Sequence, residues 1–443
     1  MAQEQPETVP RGDGQTIPHW HSPSGETIRL VEAEDSTVID DQGREYLDFV
    51  SQLYCVNAGH SNEAIIEAAE NQLRRAPYIA SSKHNDTRDQ LADALAEIAP
   101  GALSDVYFSI SGSEANEAAM TIARKVQDAP KILTRWQSYH GGTYGSGSLT
   151  GDPSTRSTLE RYAATTNTGK FLPPLPEAFG TDDPDELARR AADHVEFVIQ
   201  NEGADSVAAI FMEPVAGSSG AYTAPPGYFE RLREICDEYD ILLVADEVIT
   251  GFGRCGDWFG INTENVEPDM ITFAKGITSA YIPLAGVIAA DWIGEEIAER
   301  GHDLGQTFAG HPVACAAGLA TIEEYDNGLL DNVAELTPVF DARLERIEEE
   351  YDVVGTTRGR GFLRSIVFED PETGEPFVNP WASDDDEDNP VDDVRKAAME
   401  RGVMFGSGRP NVQLLASPPL CTTRAEIESA FDALEAAIED VFY

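Results

Sequence analysis

The run Ile241-Leu242-Leu243-Val244-Ala245 leads directly into Asp246-Glu247, and Met270-Ile271-Thr272-Phe273-Ala274 leads directly into Lys275-Gly276. A third run, Val207 to Met212, ends in Glu213-Pro214. Runs this short and this apolar, separated by helix-like segments, read as strands of a mainly parallel sheet buried on both faces. The charged ends Glu213, Asp246 and Lys275 are 33 and 29 residues apart, about one strand–helix–strand repeat each. In open parallel sheets ligands bind beyond the carboxyl ends of the strands. If the three strands lie in one sheet, these residues share one rim. Burying either sign alone is expensive, so a bound group that uses both would explain the arrangement.

Outward from this centre, Val106-Tyr107-Phe108 and Lys131-Ile132-Leu133 are further short apolar runs, and the helical spacing begins near residue 62 with Ala64, Ile65, Ala68, Ala69 and Leu73. These place a large α/β sheet domain at residues 65–325. Residues 1–25 are polar and read as a loose arm. Residues 26–50 alternate around Asp40-Asp41-Gln42-Gly43-Arg44 and read as a small hairpin, giving an N-terminal piece over 1–64. Leu329 to Ile347 carries the spacing of a long amphipathic helix. Phe362 to Phe368 is strand-like and Ala425 to Val441 is a last helix. Residues 326–443 therefore form a smaller C-terminal α+β domain. The acidic run Asp384–Asp388 reads as a solvated loop, the usual fate of a charge block, rather than as a cation site.

The chain has 443 residues, with 31 Lys plus Arg against 79 Asp plus Glu, for a net charge of −48. Such a surface repels phosphate backbones and anionic lipid, which argues against nucleic-acid and membrane partners. With 41% apolar residues the chain can still bury a core. Dispersed acid with only six lysines (Lys83, Lys125, Lys131, Lys170, Lys275, Lys396) resembles proteins of salt-loving organisms. No apolar stretch is long enough to span a membrane, and Met1–Glu7 lacks the features of a secretory signal. Five scattered cysteines without a CxxC pair point to a reducing cytoplasm, and no HExxH or His/Cys cluster points to a metal.

Lys275 stands out because the chain has so few lysines and places this one against an apolar strand. A partly desolvated amine sheds its proton and attacks carbonyls; the ordinary alternative is a surface lysine. Asp246 on its own would more often be a helix cap or ion-pair partner. In Ser111-Gly112-Ser113-Glu114-Ala115-Asn116-Glu117 a strand enters a Ser/Gly turn and then a helix, whose free N–H groups with the Ser113 hydroxyl would hold a phosphate; the plain alternative is a Ser N-cap. Neither GxGxxG nor GxxxxGK[ST] is present. Tyr139-His140-Gly141-Gly142-Thr143 supplies an aromatic that can stack on a planar ring or simply pack in a loop. Together, a phosphate cradle, an aromatic platform, a buried acid and a desolvated lysine describe a phosphorylated pyridine aldehyde, held by the lysine as a Schiff base with its ring nitrogen kept protonated by the acid.

These residues are where the chain resembles a known family. SGSEANE (Ser111–Glu117), YHGGT (Tyr139–Thr143), Glu213-Pro214, DEVITGFGR (Asp246–Arg254), FAKG (Phe273–Gly276) and TFAGHP (Thr307–Pro312) are similar to the motifs of class III pyridoxal-phosphate-dependent aminotransferases, in the family's order and spacing. The resemblance runs from about residue 27 to the C-terminus. It implies PLP fold type I: an α/β protein with a mainly parallel seven-stranded-type sheet domain flanked by helices, and a smaller α+β domain built from both chain ends. It implies pyridoxal 5'-phosphate as cofactor, Lys275 as the lysine that binds it and shuttles the proton, and Asp246 as partner of the pyridine nitrogen. Val248 and Tyr139 would face the two sides of the ring, and Gly112 and Ser113 would bind the phosphate. Thr307 would reach the phosphate of a partner subunit, implying a homodimer, while Glu213 and His140 would support the site.

Within the family, Leu53–His60, Tyr281–Gly286 and Ser417–Leu420 look most similar to the ω-amino acid and amine:pyruvate transaminases, with Tyr54 as an aromatic wall of the substrate pocket. Two positions depart. Ser218 stands where many members have a Glu after the EPxxG segment, and Gly406 where many have a mobile Arg. Arg409 lies three residues on and could clamp a carboxylate or be a surface arginine. The resemblance implies transfer of an amino group from an amine or ω-amino acid to an α-keto acid, with pyruvate the expected acceptor, through pyridoxamine phosphate and ping-pong kinetics. The alternatives are an aminomutase or decarboxylating transaminase of the same family, or an acidic α/β binding protein without catalysis.

Overall fold

A computed structural model describes residues 19, 28–161, 167–302, 304–379 and 388–443. The expected N-terminal arm and most of the Asp384–Asp388 run lie outside the described residues.

Two seven-stranded sheets carry the fold. Across the first, the strands are Leu103–Ser109, Ala285–Ala290, Met270–Phe273, Leu242–Asp246, Val207–Met212, Lys131–Arg135 and Thr168–Phe171. Ala285–Ala290 is antiparallel to both neighbours; every other pair is parallel. The three strands read from sequence are thus adjacent and central, and every residue in them is buried. Continuous burial is why they read as apolar runs rather than alternating ones. The middle strand ends one residue later than its apolar run, on Asp246 itself.

Helix Gly112–Gln127 packs against this sheet. Ser111 caps it by accepting from the Glu114 N–H, and Arg124 and Lys125 sit in its last turn. Both devices favour the helix, the first by satisfying a free amide, the second by opposing the helix dipole. Half of its eight buried residues are alanine (Ala115, Ala118, Ala119, Ala123), which lets the helix approach the strands closely.

The second sheet runs Leu30–Glu34, Thr37–Asp40, Glu45–Phe49, Val403–Ser407, Gln413–Ala416, Leu363–Phe368 and Val354–Arg360. The expected hairpin around Asp40–Arg44 is present as the last turn of a three-stranded meander, with Asp40 Oδ1 accepting from the amides of Gln42 and Arg44. The two chain ends meet in one parallel pair, Glu45–Phe49 beside Val403–Ser407. Phe49, Phe340, Phe362, Phe405 and Phe431 pack ring against ring at their junction, Phe49 stacked on Phe340 and the others edge-on or tilted, and burying each ring contributes about 2 kcal/mol. Helix Leu330–Glu350 is the long amphipathic helix read from sequence.

Arg254 ties the two halves. It is fully buried, and among the described residues no carboxylate pairs with it. It donates instead to the carbonyls of Phe362 (3.2 Å) and Pro418, to Ser51 Oγ (3.1 Å) and to Asn57 Oδ1 (2.7 Å). Burial pushes its guanidinium down to about 10. Among the described residues no helix is long and apolar enough to cross a membrane.

Candidate active site

The rim at the carboxyl ends of the central strands opens into a cavity of about 700 Å³, lined from both sheets. Glu213, Asp246 and Lys275 all line it, as do Gly112, Ser113, Tyr139, His140 and Val248. Tyr54, Ser218, Gly406 and Arg409 join them from the other side.

Lys275 opens a short 3-10 turn, Lys275–Thr278, directly after the Met270–Phe273 strand, and its φ of 48° is left-handed. A non-glycine residue holds such a conformation only when its surroundings over-determine it, and such strain collects at functional sites. Nζ lies 5.3 Å from the centre of the Tyr54 ring. Burial lowers the amine's pKa from the usual lysine value, more than Cys55, Asp246 and Glu213 raise it. A lysine so placed is a better nucleophile and base near neutral pH than one in water.

Asp246 is held as an anion. Burial alone would raise its pKa, but the hydrogen bond and electrostatic attraction of His140, with the hydrogen bonds from Asn116 and Val248, outweigh burial and bring it below the usual carboxylate value. Oδ2 meets His140 Nδ1 at 2.7 Å and accepts from Asn116 Nδ2 at 2.9 Å; Oδ1 accepts from the Val248 N–H at 3.1 Å. Glu213 is paired differently. Its Oε2 accepts from Arg135 Nη2 at 3.1 Å and its Oε1 from the Gly217 N–H at 3.0 Å. Arg135 is itself fully buried, with its guanidinium 5.0 Å from the Tyr222 ring centre.

The phosphate-cradle residues gather at the start of helix Gly112–Gln127. Ser113 Oγ accepts from the Gly142 N–H at 3.1 Å. Gly141 has φ 132°, and a Cβ there would sit 2.5 Å from Ser113 Oγ. At Gly112 a Cβ would meet Val248 Cγ1 at 2.9 Å. A side chain at either place would crowd Val248 or Ser113, and Gly112 and Ser113 at the start of the helix both line the cavity.

Tyr54 reaches the cavity through an unusual backbone. Ser51, Gln52, Leu53 and Tyr54 have φ of 45°, 46°, 67° and 63°, a left-handed turn of four non-glycine residues. Ser51 Oγ donates to the Ser417 carbonyl at 2.5 Å, and the Gln52 amide and side chain both donate to buried Asp48. Arg409 stands over Tyr139, 5.4 Å from its ring centre, and donates to Thr155 Oγ1 at 3.0 Å; its backbone N–H donates to the Ser218 carbonyl at 2.7 Å. Thr307 lies apart from the cavity, on an exposed turn beside exposed Phe308, its carbonyl accepting from Tyr78 OH.

Three residues that the sequence did not single out belong to this geometry. Arg395 and Cys55 line the cavity. Asn116 bridges Asp246 and the His140 carbonyl, while its own Oδ1 is buried without a partner. Asn116 lies one helical turn past Ser113, a spacing that could have pointed to it. An orphaned acceptor, an anion at the cavity floor, a cradle that excludes any Cβ, and a desolvated amine fit a flat phosphorylated ring that carries a protonated nitrogen and an aldehyde. Pyridoxal 5'-phosphate is such a group.

Comparison with known proteins agrees. The family model for class-III aminotransferases matches residues 20–438. A probable aminotransferase of Mycobacterium tuberculosis is 37% identical over 432 residues, covering 93% of this chain and 89% of that protein. The crystal structure of a thermostable (S)-enantioselective ω-transaminase from Thermomicrobium roseum superposes with a TM-score of 0.88 at 33% identity, covering 96% of this chain and 97% of that one. The taurine:2-oxoglutarate aminotransferase of Bifidobacterium kashiwanohense, solved with PLP and glutamate, gives 0.89 at 30% identity, with 96% of each chain covered. Matched over nearly its whole length, the chain belongs to the class-III aminotransferases and works with pyridoxal 5'-phosphate.

Proposed function

We propose that the enzyme moves an amino group from an amine or ω-amino acid to an α-keto acid, with pyruvate as the acceptor. The observation that carries this reading is the Lys275 amine beside the anionic Asp246 in one cavity. Pyridoxal 5'-phosphate supplies, when bound, an electron sink for negative charge at the amine-bearing carbon. Lys275 would carry it, with Asp246 at the ring nitrogen, Val248 and Tyr139 on its two faces, and Gly112 and Ser113 at its phosphate. His140 and Glu213 stand behind these groups.

The residues' own work follows from their surroundings. Among the described residues, Lys275 Nζ is the one lysine amine lining the cavity, and its lowered pKa suits it to take a proton from the amine-bearing carbon and return it. Asp246, kept charged by its three donors, holds a proton on the ring nitrogen. Val50, Val215, Ile249 and Phe405 add apolar wall around Tyr54, which suits an amine with an uncharged substituent. Ser218 and Gly406 leave out the Glu and Arg that many relatives use for a dicarboxylic substrate.

The fold is proposed to act as a homodimer, in which Thr307 of the partner subunit completes the phosphate site. Its exposed turn, with Phe308 and Tyr78 also exposed, offers the surface for this. The division into 1–64, 65–325 and 326–443 and a cytoplasmic location belong to the same reading.

A second reading makes a dicarboxylic keto acid the acceptor. It is favoured by Arg395, a second guanidinium lining the cavity with Arg409, and by the 2-oxoglutarate in the name of the taurine enzyme. A screen of amine donors against pyruvate and 2-oxoglutarate at high salt separates the two. Alanine formed from several amines supports the first; glutamate alone supports the second; no amino acid from either removes both. Arg409→Ala is expected to raise the KM for the keto acid about tenfold, the loss of a charge-assisted bond. An unchanged KM assigns the carboxylate to another group.

A further inference from the structure

Behind Asp246 lies a chain of buried hydrogen bonds that no catalytic role above uses in full. His140 Nδ1 is 2.7 Å from Asp246 Oδ2, and His140 Nε2 is 3.0 Å from Thr134 Oγ1. His140 is 2% exposed and Thr134 has no exposure at all. The main chain of His140 is held as well. The His140 N–H donates to Thr150 Oγ1 at 3.0 Å, and its carbonyl accepts from Asn116 Nδ2 at 2.8 Å. Thr134 is fixed in turn by the strand Lys131–Arg135, paired on both sides within the sheet.

Proton placement follows from counting donors. Asp246 also accepts from Asn116 Nδ2 and the Val248 N–H, the surroundings of a carboxylate, so the hydrogen between it and His140 belongs to Nδ1. The second nitrogen then either accepts from the Thr134 hydroxyl or, in an imidazolium, donates to it. In the imidazolium case the Thr134 hydroxyl hydrogen needs a new acceptor, and among the described residues its one side-chain partner is His140. A buried hydroxyl hydrogen without an acceptor is disfavoured.

We infer that Thr134 is a positioning residue: its hydroxyl donates to His140 Nε2, keeps the imidazole in the Nδ1–H form, and so leaves Asp246 its full negative charge. An imidazolium in the same place would neutralise Asp246 from behind and weaken its hold on a protonated ring nitrogen. The inference rests on Asp246 facing that nitrogen, as proposed above.

The test is the ring-nitrogen spectrum of the holoenzyme with ¹⁵N-labelled histidine, the His140 signals being assigned by their loss in His140→Asn. The parent is expected to show one protonated nitrogen and one unprotonated, hydrogen-bonded nitrogen at pH 7. In Thr134→Val, which keeps shape and removes the hydroxyl, the unprotonated signal moves away from the protonated position, as a ring nitrogen does when it loses its donor. kcat there falls about tenfold, the equivalent of one buried hydrogen bond, with the amine KM within about twofold. Thr134→Ser restores at least about half of the parent kcat. Two protonated nitrogens in the parent, an unmoved signal in Thr134→Val, or a Ser variant as slow as the Val one would each overturn the inference. The spectrum reports on His140 whatever the substrate screen returns, so the two readings fail separately.

Discussion

Lys275 and Asp246 were legible together, because each follows an apolar run and the two runs are one strand–helix–strand repeat apart. Lys275→Ala is expected to lower turnover on the order of 10³-fold or more, with an unchanged circular dichroism spectrum. Turnover near the parent's would remove the lysine from the chemistry. The helical-turn spacing from Ser113 was the one hint at Asn116, and Thr134 was not legible, because a polar residue inside a strand shows its partner only once the chain has folded. The same is true of Glu247, the neighbour of Asp246. It is fully buried and accepts from Thr250 Oγ1, the Gly260 N–H (2.9 Å) and the Ile261 N–H (2.7 Å). Burial nonetheless pushes its carboxyl up from 4.5 to about 7. The folded chain then holds this proton more tightly than the unfolded one, so the group's contribution to stability falls as pH rises from about 4.5 to about 7 and levels off above that. Urea midpoints between pH 5 and 8 should show a flatter slope in Glu247→Gln; an identical slope would assign the pH dependence to other groups.

At the scale of elements, the three central strands and the long helix Leu330–Glu350 could be read because each is buried on a large face and therefore strongly patterned. Ala285–Ala290 was missed: four of its six residues are alanine or glycine, and such a run suits a helix as readily as a strand. Thr168–Phe171 was missed because it has only four residues, including a glycine and a lysine. Neither gap disturbs the rim. Arg254 belongs at this scale, since its four acceptors come from separate segments around residues 51–57, 362 and 418. Arg254→Met keeps the bulk and strands those acceptors without a donor. The expected loss is about 3 kcal/mol or more, read as a lower denaturant midpoint at constant slope. A loss under about 1 kcal/mol would mean that water replaces the guanidinium.

Across the whole molecule, the pairing of Glu45–Phe49 with Val403–Ser407 joins segments far apart in the chain, and no local pattern announces it. The resemblance to a family supplied that part of the fold; periodicity did not. Charge acts at this scale as well. With a net charge of −48, self-repulsion opposes the compact state, and the distance over which it acts shrinks from about 10 Å at 0.1 M salt to about 3 Å at 1 M. The melting temperature should therefore climb between 0.1 and 2 M KCl, with most of the gain below 1 M. A flat or falling curve would show that the acids are already balanced locally.

The turn at Ser51–Tyr54 has a practical side. Glycine or asparagine tolerates its backbone better than the glutamine and leucine now at 52 and 53. A library that varies this wall to admit bulkier amines can therefore begin with Leu53→Gly, which trims an exposed cavity-lining side chain and relaxes the main chain in one step.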